Sequence, residues 1–199
     1  MACRTRVRFE AVAISPQTLN VEERRCVASW AADCAEYVLP VFDAAAPSDA
    51  RVRDAIAQAR AFASGDLVVG EAIRRRGGDA GAAAREASAP AAKAAAYAAE
   101  QAAAVAHMGA HALGAAGYAT KASVLVSRSD CDDVVRAETQ RQVAAMSTEV
   151  ARTLSLLPAL GENGAGPLAP GRLSTGHVGQ AIRAIQAALG KLLEVDARR

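Results

Sequence analysis

The chain is short of aromatic side chains, of net charge and of strongly apolar runs, and each shortage excludes something. Phe, Tyr and Trp together make only 4% of the 199 residues, so a core must be built from Val, Leu, Ile and Ala. Lys and Arg number 23 against 21 Asp and Glu, a formal charge of +2, which leaves no electrostatic footprint for nucleic acid. The Arg74-Arg75-Arg76 triplet is short and reads as a solvated helix face. Arg4, Arg6 and Arg8 precede no apolar segment, so no signal peptide is expected. Cys3, Cys26, Cys34 and Cys131 lack paired short spacing, which fits a reducing cytoplasm with the thiols as small buried hydrophobes. No membrane association is expected either, because Ala is weakly apolar and Lys93, Glu100, His107, His111 and Lys121 interrupt the alanine-rich stretch.

The motifs of common chemistries are missing as well. There is no glycine-rich phosphate loop, no nucleophile elbow and no paired-cysteine zinc site, so no cofactor is implied.

What the chain has is alanine, about a quarter of its residues, concentrated between Ala80 and Ala122. Alanine loses no side-chain entropy on entering a helix and lets neighbouring backbones approach closely. A helix with so thin an apolar payload must be packed tightly by others. The pattern predicts an all-α fold, a compact alanine-rich bundle of about five to six helices.

Along the chain, residues 1–19 read as an N-terminal arm, with the one strand-like alternation at Val7-Phe9-Ala11-Ala13. Asn20 with Glu23 forms a capping-box signal for a first helix, whose stripe is Val27, Trp30, Ala31, Cys34, Val38 and Val41. Arg24, Arg25, Asp33 and Glu36 lie off that stripe. Pro40 should kink or restart the helix, and Trp30 reads as a core anchor. Ser48 or Asp49 caps a second helix (Val52, Ala55, Ile56, Ala59, Phe62, Ala63) that Gly65 ends in the left-handed conformation. A third helix begins near Leu67 and is weakened by Gly77-Gly78. Pro90 opens a fourth, long helix, and Ser129 or Asp130 caps a fifth that runs through Val150 to Leu157. The helical domain so defined spans 20–157. Gly- and Pro-rich residues 158–176 read as a flexible linker. Residues 177–199 form a C-terminal amphipathic helix striped with Val178, Ile182, Ile185, Leu189, Leu192 and Leu193. Docking on the bundle is favoured over partner binding, because a lone helix of that length is marginal in water.

His107 and His111 are the only pair with the spacing of metal ligands on one helix face. A zincin-type pattern would need Glu where Met108 stands. A third ligand would have to come from Glu36, Asp33, Cys34 or Asp49 on another helix. The simpler reading makes the imidazoles spacers, hydrogen-bonded to buried carboxylates across a helix interface. Asp49, Arg51 and Arg53 form a second cluster, read as a helix cap plus an ion pair in which Arg53 reaches Asp49 or Glu36.

The series Trp30-Ala31-Ala32-Asp33-Cys34-Ala35-Glu36, Val38-Leu39-Pro40, Phe42, Pro47, Asp49, Arg51, Arg53, Ala55 and Ile56 resembles the opening of the Imm-5-like putative immunity proteins. Ala59 to Asp66 resembles the next block, with Phe62 in place of Trp. Ala82 to Ala87, and Ala106-His107 through His111, Tyr118 and Lys121-Ala122, resemble the rest, so the likeness covers about residues 20–126. It departs from the pattern at Glu138 to Gln142, which lack the expected Trp. The resemblance implies a bacterial cytoplasmic protein that binds and neutralises a cognate toxin without catalysis. Trp30, Tyr37, Arg51, Arg53 and Tyr97 are then candidate interface residues wherever they prove exposed. Two other classes stay open on the residues alone. One is a metal-binding helical protein or enzyme built on His107 and His111. The other is an oligomerising protein, a homodimer lost when Ile185 and Leu189 become polar.

Overall fold

The computed structural model describes residues 15–75 and 78–196, with side chains through Leu192. Among them lie nine α-helices: α1 (Val21–Ala45), α2 (Arg51–Ser64), α3 (Val69–Arg75), α4 (Ala80–Glu86), α5 (Pro90–Ala104), α6 (His111–Val126), α7 (Cys131–Ala144), α8 (Thr148–Ser155) and α9 (Gly176–Asp196). A 3-10 turn, Arg172–Ser174, precedes α9. The fold is all-α, with more helices than the five to six expected. The strand-like stretch Val7 to Ala13, Cys3, Arg76 and Gly77 lie outside the described residues. No described helix is long and apolar enough to cross a membrane.

Local signals account for several boundaries. Asn20 accepts from the Glu23 N–H at 2.9 Å while the Glu23 carboxylate accepts from the Asn20 N–H at 2.7 Å, so the capping box is complete. Asp49 accepts from the Arg51 N–H at 3.1 Å where α2 begins. Gly65 closes α2 at φ 93°, and Pro90 stands in the first turn of α5.

Three boundaries differ from those expected. Pro40 does not restart α1, which runs on as one element to Ala45. Pro40 and Glu36, whose carbonyl loses its helical donor, are both exposed, so water can take that bond. The fifth helix is two, because Ser147 caps α8 by accepting from the Val150 N–H at 3.2 Å. The long alanine helix that Pro90 opens is interrupted at Val105–Ala110. At this break the Gly109 and Ala110 N–H groups each donate at 3.0 Å, to the carbonyls of Thr18 and Gln17. Arg24 donates to the Ala106 and His107 carbonyls at 2.6 and 3.2 Å. Periodicity puts Arg24 off the apolar stripe, yet it is buried to make these bonds.

α5 is the centre of the bundle, buried on nearly every side by Ala92, Ala94, Ala95, Ala96, Ala98, Ala99, Ala102 and Ala103. Helices α1, α2, α4 and α6 surround it. Trp30 is 2% exposed and its indole N–H donates to the Gln142 carbonyl at 3.0 Å, which makes it a core anchor. Of the cysteines, Cys34 is buried, whereas Cys26 is half-buried and Cys131 exposed, contrary to the expectation for both.

The C-terminal helix α9 docks on α6, with Val178, Ile182, Ile185 and Leu189 buried. Gly117 makes the approach possible. A Cβ there would stand 2.8 Å from Val178 Cγ1 and 3.1 Å from the Val178 carbonyl. Between α8 and the 3-10 turn the Gly- and Pro-rich stretch is laid on the bundle rather than running free. Leu168 is fully buried, its N–H donates to Gln17 Oε1 at 2.9 Å, and Gln17 Nε2 donates to the Ala165 carbonyl at 2.7 Å.

Candidate functional site

Two neighbouring cavities open where α5, the Val105–Ala110 break and α6 meet. The larger, about 350 Å³, lies between α3 and α5 and carries Ala72, Ile73, Ala103 and Ala104 on its walls beside His107. The smaller, about 260 Å³, is bounded by Tyr97, Tyr118 and the Gly166–Leu173 segment. Glu100, Gln101 and His111 line both. Residues three to four apart share a helix face, so Tyr97, Glu100 and Gln101 project together from α5. His111 and Tyr118, two turns apart, project together from α6.

His111 Nδ1 lies 2.9 Å from Gln101 Oε1. With the amide oxygen as acceptor, Nδ1 carries the proton and Nε2 remains an acceptor. Burial, and next the neighbouring His107, push the His111 pKa down to about 4 from an ordinary 6.5, so the imidazole is neutral near pH 7. Glu100 is held above the usual carboxylate range, first by burial, with Arg85 and Arg172 pulling the other way. Burial likewise raises the Tyr118 phenol, against the opposing pull of Arg172. The Tyr97 and Tyr118 rings lie 5.2 Å apart, and the Arg172 guanidinium stands 5.8 Å from the Tyr97 ring centre. Gly81 gives the Glu100 carboxylate its place against α4, since a Cβ there would collide with it.

The spacing argument for a metal pair does not survive the break in the helix. His107 sits exposed in the turn and His111 opens α6, their ring centres 6.4 Å apart on different elements. Among the described residues no group of three His, Cys, Asp or Glu side chains is placed to hold a metal. The third-ligand candidates are committed elsewhere. Glu36 and Asp33 pair with Arg60, Asp49 pairs with Arg51, and Cys34 is buried with its thiol pKa raised by desolvation. The spacer reading comes closer, although the partner of His111 is the Gln101 amide and not a carboxylate.

Residues 17–149, two-thirds of the chain and all of α1 to α7, match the family described as Imm-5 like putative immunity protein. The chain belongs to that family. No curated protein and no solved structure matches it. The family segment reaches past the residue 126 at which the sequence likeness ended. It takes in α7, and with it Gln142, which anchors Trp30. The turn before α9 and α9 itself lie beyond it.

Within this Imm-5-like segment the candidate interface residues separate by exposure. Trp30 is buried and drops out. Tyr97 is half-buried, lining the smaller cavity. Arg51 bonds Asp49 and Glu86 at 2.7 and 2.6 Å, and Arg53 pairs with Asp43 at 2.8 Å rather than with Asp49 or Glu36. Tyr37 alone presents a large aromatic surface, 55% exposed. The Arg141 guanidinium of α7 lies 3.5 Å from its ring centre, while Glu138 holds the same guanidinium from the other side. Periodicity could not have found this pairing, because Arg141 is 104 residues away in a separate helix.

Proposed function

We propose that this protein is a non-catalytic immunity protein that binds and neutralises a cognate bacterial toxin in the cytoplasm. Family membership across α1 to α7 carries the reading. A neutralising protein needs a rigid face rather than a reaction centre, and the outer surface of α1 fits that need. Tyr37 and Arg141 form a stacked pair there, flanked by Asp33, Glu36 and Arg60. Tyrosine and arginine are the residue types most enriched at binding hot spots. Glu138, 5% exposed, fixes Arg141 so that little side-chain freedom is lost on contact.

Ile185 and Leu189, the residues on which a homodimer would have rested, are 0% and 2% exposed within one chain.

Coexpression with the toxin encoded beside this gene is the test. Growth is restored and the two proteins copurify. Tyr37→Ala and Arg141→Lys each abolish rescue without lowering the melting temperature by more than a few degrees, the lysine keeping a cation beside the buried Glu138 while losing the planar stack on Tyr37. Failure of the wild-type protein to bind or neutralise any neighbouring toxin refutes the function. Rescue by both variants refutes the surface.

A further inference from the structure

The smaller cavity holds two opposite charges that do not meet. Glu100 has neither a hydrogen-bond donor nor an ion-pair partner within 4 Å among the described residues, although it is half-buried. Arg172 lines the same cavity beside Tyr118, its guanidinium 5.8 Å from the Tyr97 ring centre, with no carboxylate within 4 Å among the described residues. Each feels the other only through space. A half-buried carboxylate gains by acquiring a donor, and a guanidinium is shaped to grip a carboxylate with two parallel bonds. Lining one open cavity beside the two packed tyrosines, the pair has the layout of a two-point receptor. Arg85, the other cation near Glu100, belongs to α4 and does not line the cavity. The neutral His111 adds an acceptor nitrogen without repelling a cation.

We propose that this cavity binds a small zwitterion, a free amino acid or ω-amino acid, with its ammonium on Glu100 and its carboxylate on Arg172. A single positive or negative group satisfies only one side and leaves the other as it stands. A zwitterion satisfies both and brings no net charge into a partly desolvated site. Tyr97 and Tyr118, packed on each other, offer one aromatic wall to the ligand's carbon chain, and the cavity of about 260 Å³ limits that chain to a few carbons. The site is independent of the Tyr37–Arg141 surface and does not rest on the toxin reading.

Titrate the full chain, followed by the Tyr and His side-chain NMR signals, with glycine, 4-aminobutyrate, 5-aminopentanoate and 6-aminohexanoate. Pentylamine and pentanoate serve as single-charge controls. One of the zwitterions gives saturable shifts at Tyr97, Tyr118 and His111, and each single-charge control binds about tenfold weaker or worse, as expected for loss of one charge-assisted contact. Glu100→Gln and Arg172→Gln each reduce affinity by at least about tenfold, whereas Arg85→Gln, which removes a cation near Glu100 that lines no part of the cavity, does not weaken binding. Thermal midpoints measured alongside show that the variants are folded. The proposal is overturned if no zwitterion saturates, if the single-charge controls bind as well, or if both cavity variants bind like wild type.

Discussion

Lowering the pH should destabilise this fold through one side chain, His111, before general acid unfolding sets in. The imidazole resists protonation down to about pH 4 in the folded chain and takes it up near 6.5 when free. The unfolded state therefore binds the proton first, and native stability falls as pH drops through the window between those values. Above about pH 6.5 both states are neutral and the contribution is flat. With these two values the loss reaches about 2.5 kcal/mol at about pH 4.5, using 1.36 kcal/mol per pKa unit. That is a large share of the stability of an ordinary domain. The control is His111→Asn, whose amide can still donate to Gln101 but does not titrate. Urea unfolding of both proteins at about pH 7.5, 6, 5 and 4.5 isolates the histidine, because carboxylates that titrate in this range contribute nearly equally to each. The wild type loses about 2 kcal/mol more than the variant over the series. Parallel loss of stability in the two proteins would refute the argument that burial holds His111 neutral.

Two other outcomes follow from the packing. Gly117→Ala places a methyl 2.8 Å from Val178 Cγ1, and the overpacking lowers stability by about 1–3 kcal/mol, read by thermal unfolding, with the loss of protection in hydrogen exchange concentrated in α9. Arg24→Met keeps the length of the side chain but leaves the Ala106 and His107 carbonyls without their donor. It lowers stability by about 2–3 kcal/mol and speeds amide exchange at Val105–Ala110 more than in α1.

What can be read in the sequence depends on whether the deciding interaction is local. The Asn20–Glu23 box, Gly65 and Pro90 act within a turn of themselves, and all three stand where the residue pattern puts them. The break at Val105–Ala110 is different. Every residue near it except Gly109 tolerates a helix, and alanine propensity reads straight through. The chain departs from the helix because Gln17, Thr18 and Arg24, more than eighty residues earlier, supply the hydrogen bonds that the break gives up. The candidate site inherits the same limit. His107 and His111 are four apart in sequence but on different elements, so helix-face geometry misjudged them. In the sequence Glu100 is only an interruption of the alanine run, and its opposite charge, Arg172, comes from a Gly- and Pro-rich segment that has the composition of a linker. Tyr37 and Arg141 meet only through the packing of α7 on α1.

Gln17 also says something about the order in which the molecule is completed. Its amide bonds join it to Ala165 and Leu168, 148 and 151 residues away, while its carbonyl receives Ala110. Contacts of such separation close large loops and come late, since their entropy is lost before any of their bonds is gained. During synthesis, at about 5–20 residues per second, helices α1 to α8 leave the ribosome and pack while the slot around Gln17 is still empty. A fully buried amide then waits in water for the last fifth of the chain. The strap at Ser15–Asn20 is thus a closing stitch. A chain stalled short of Leu168 carries a nearly complete bundle in which the Gln17 side-chain oxygen still lacks the backbone donor that Leu168 supplies.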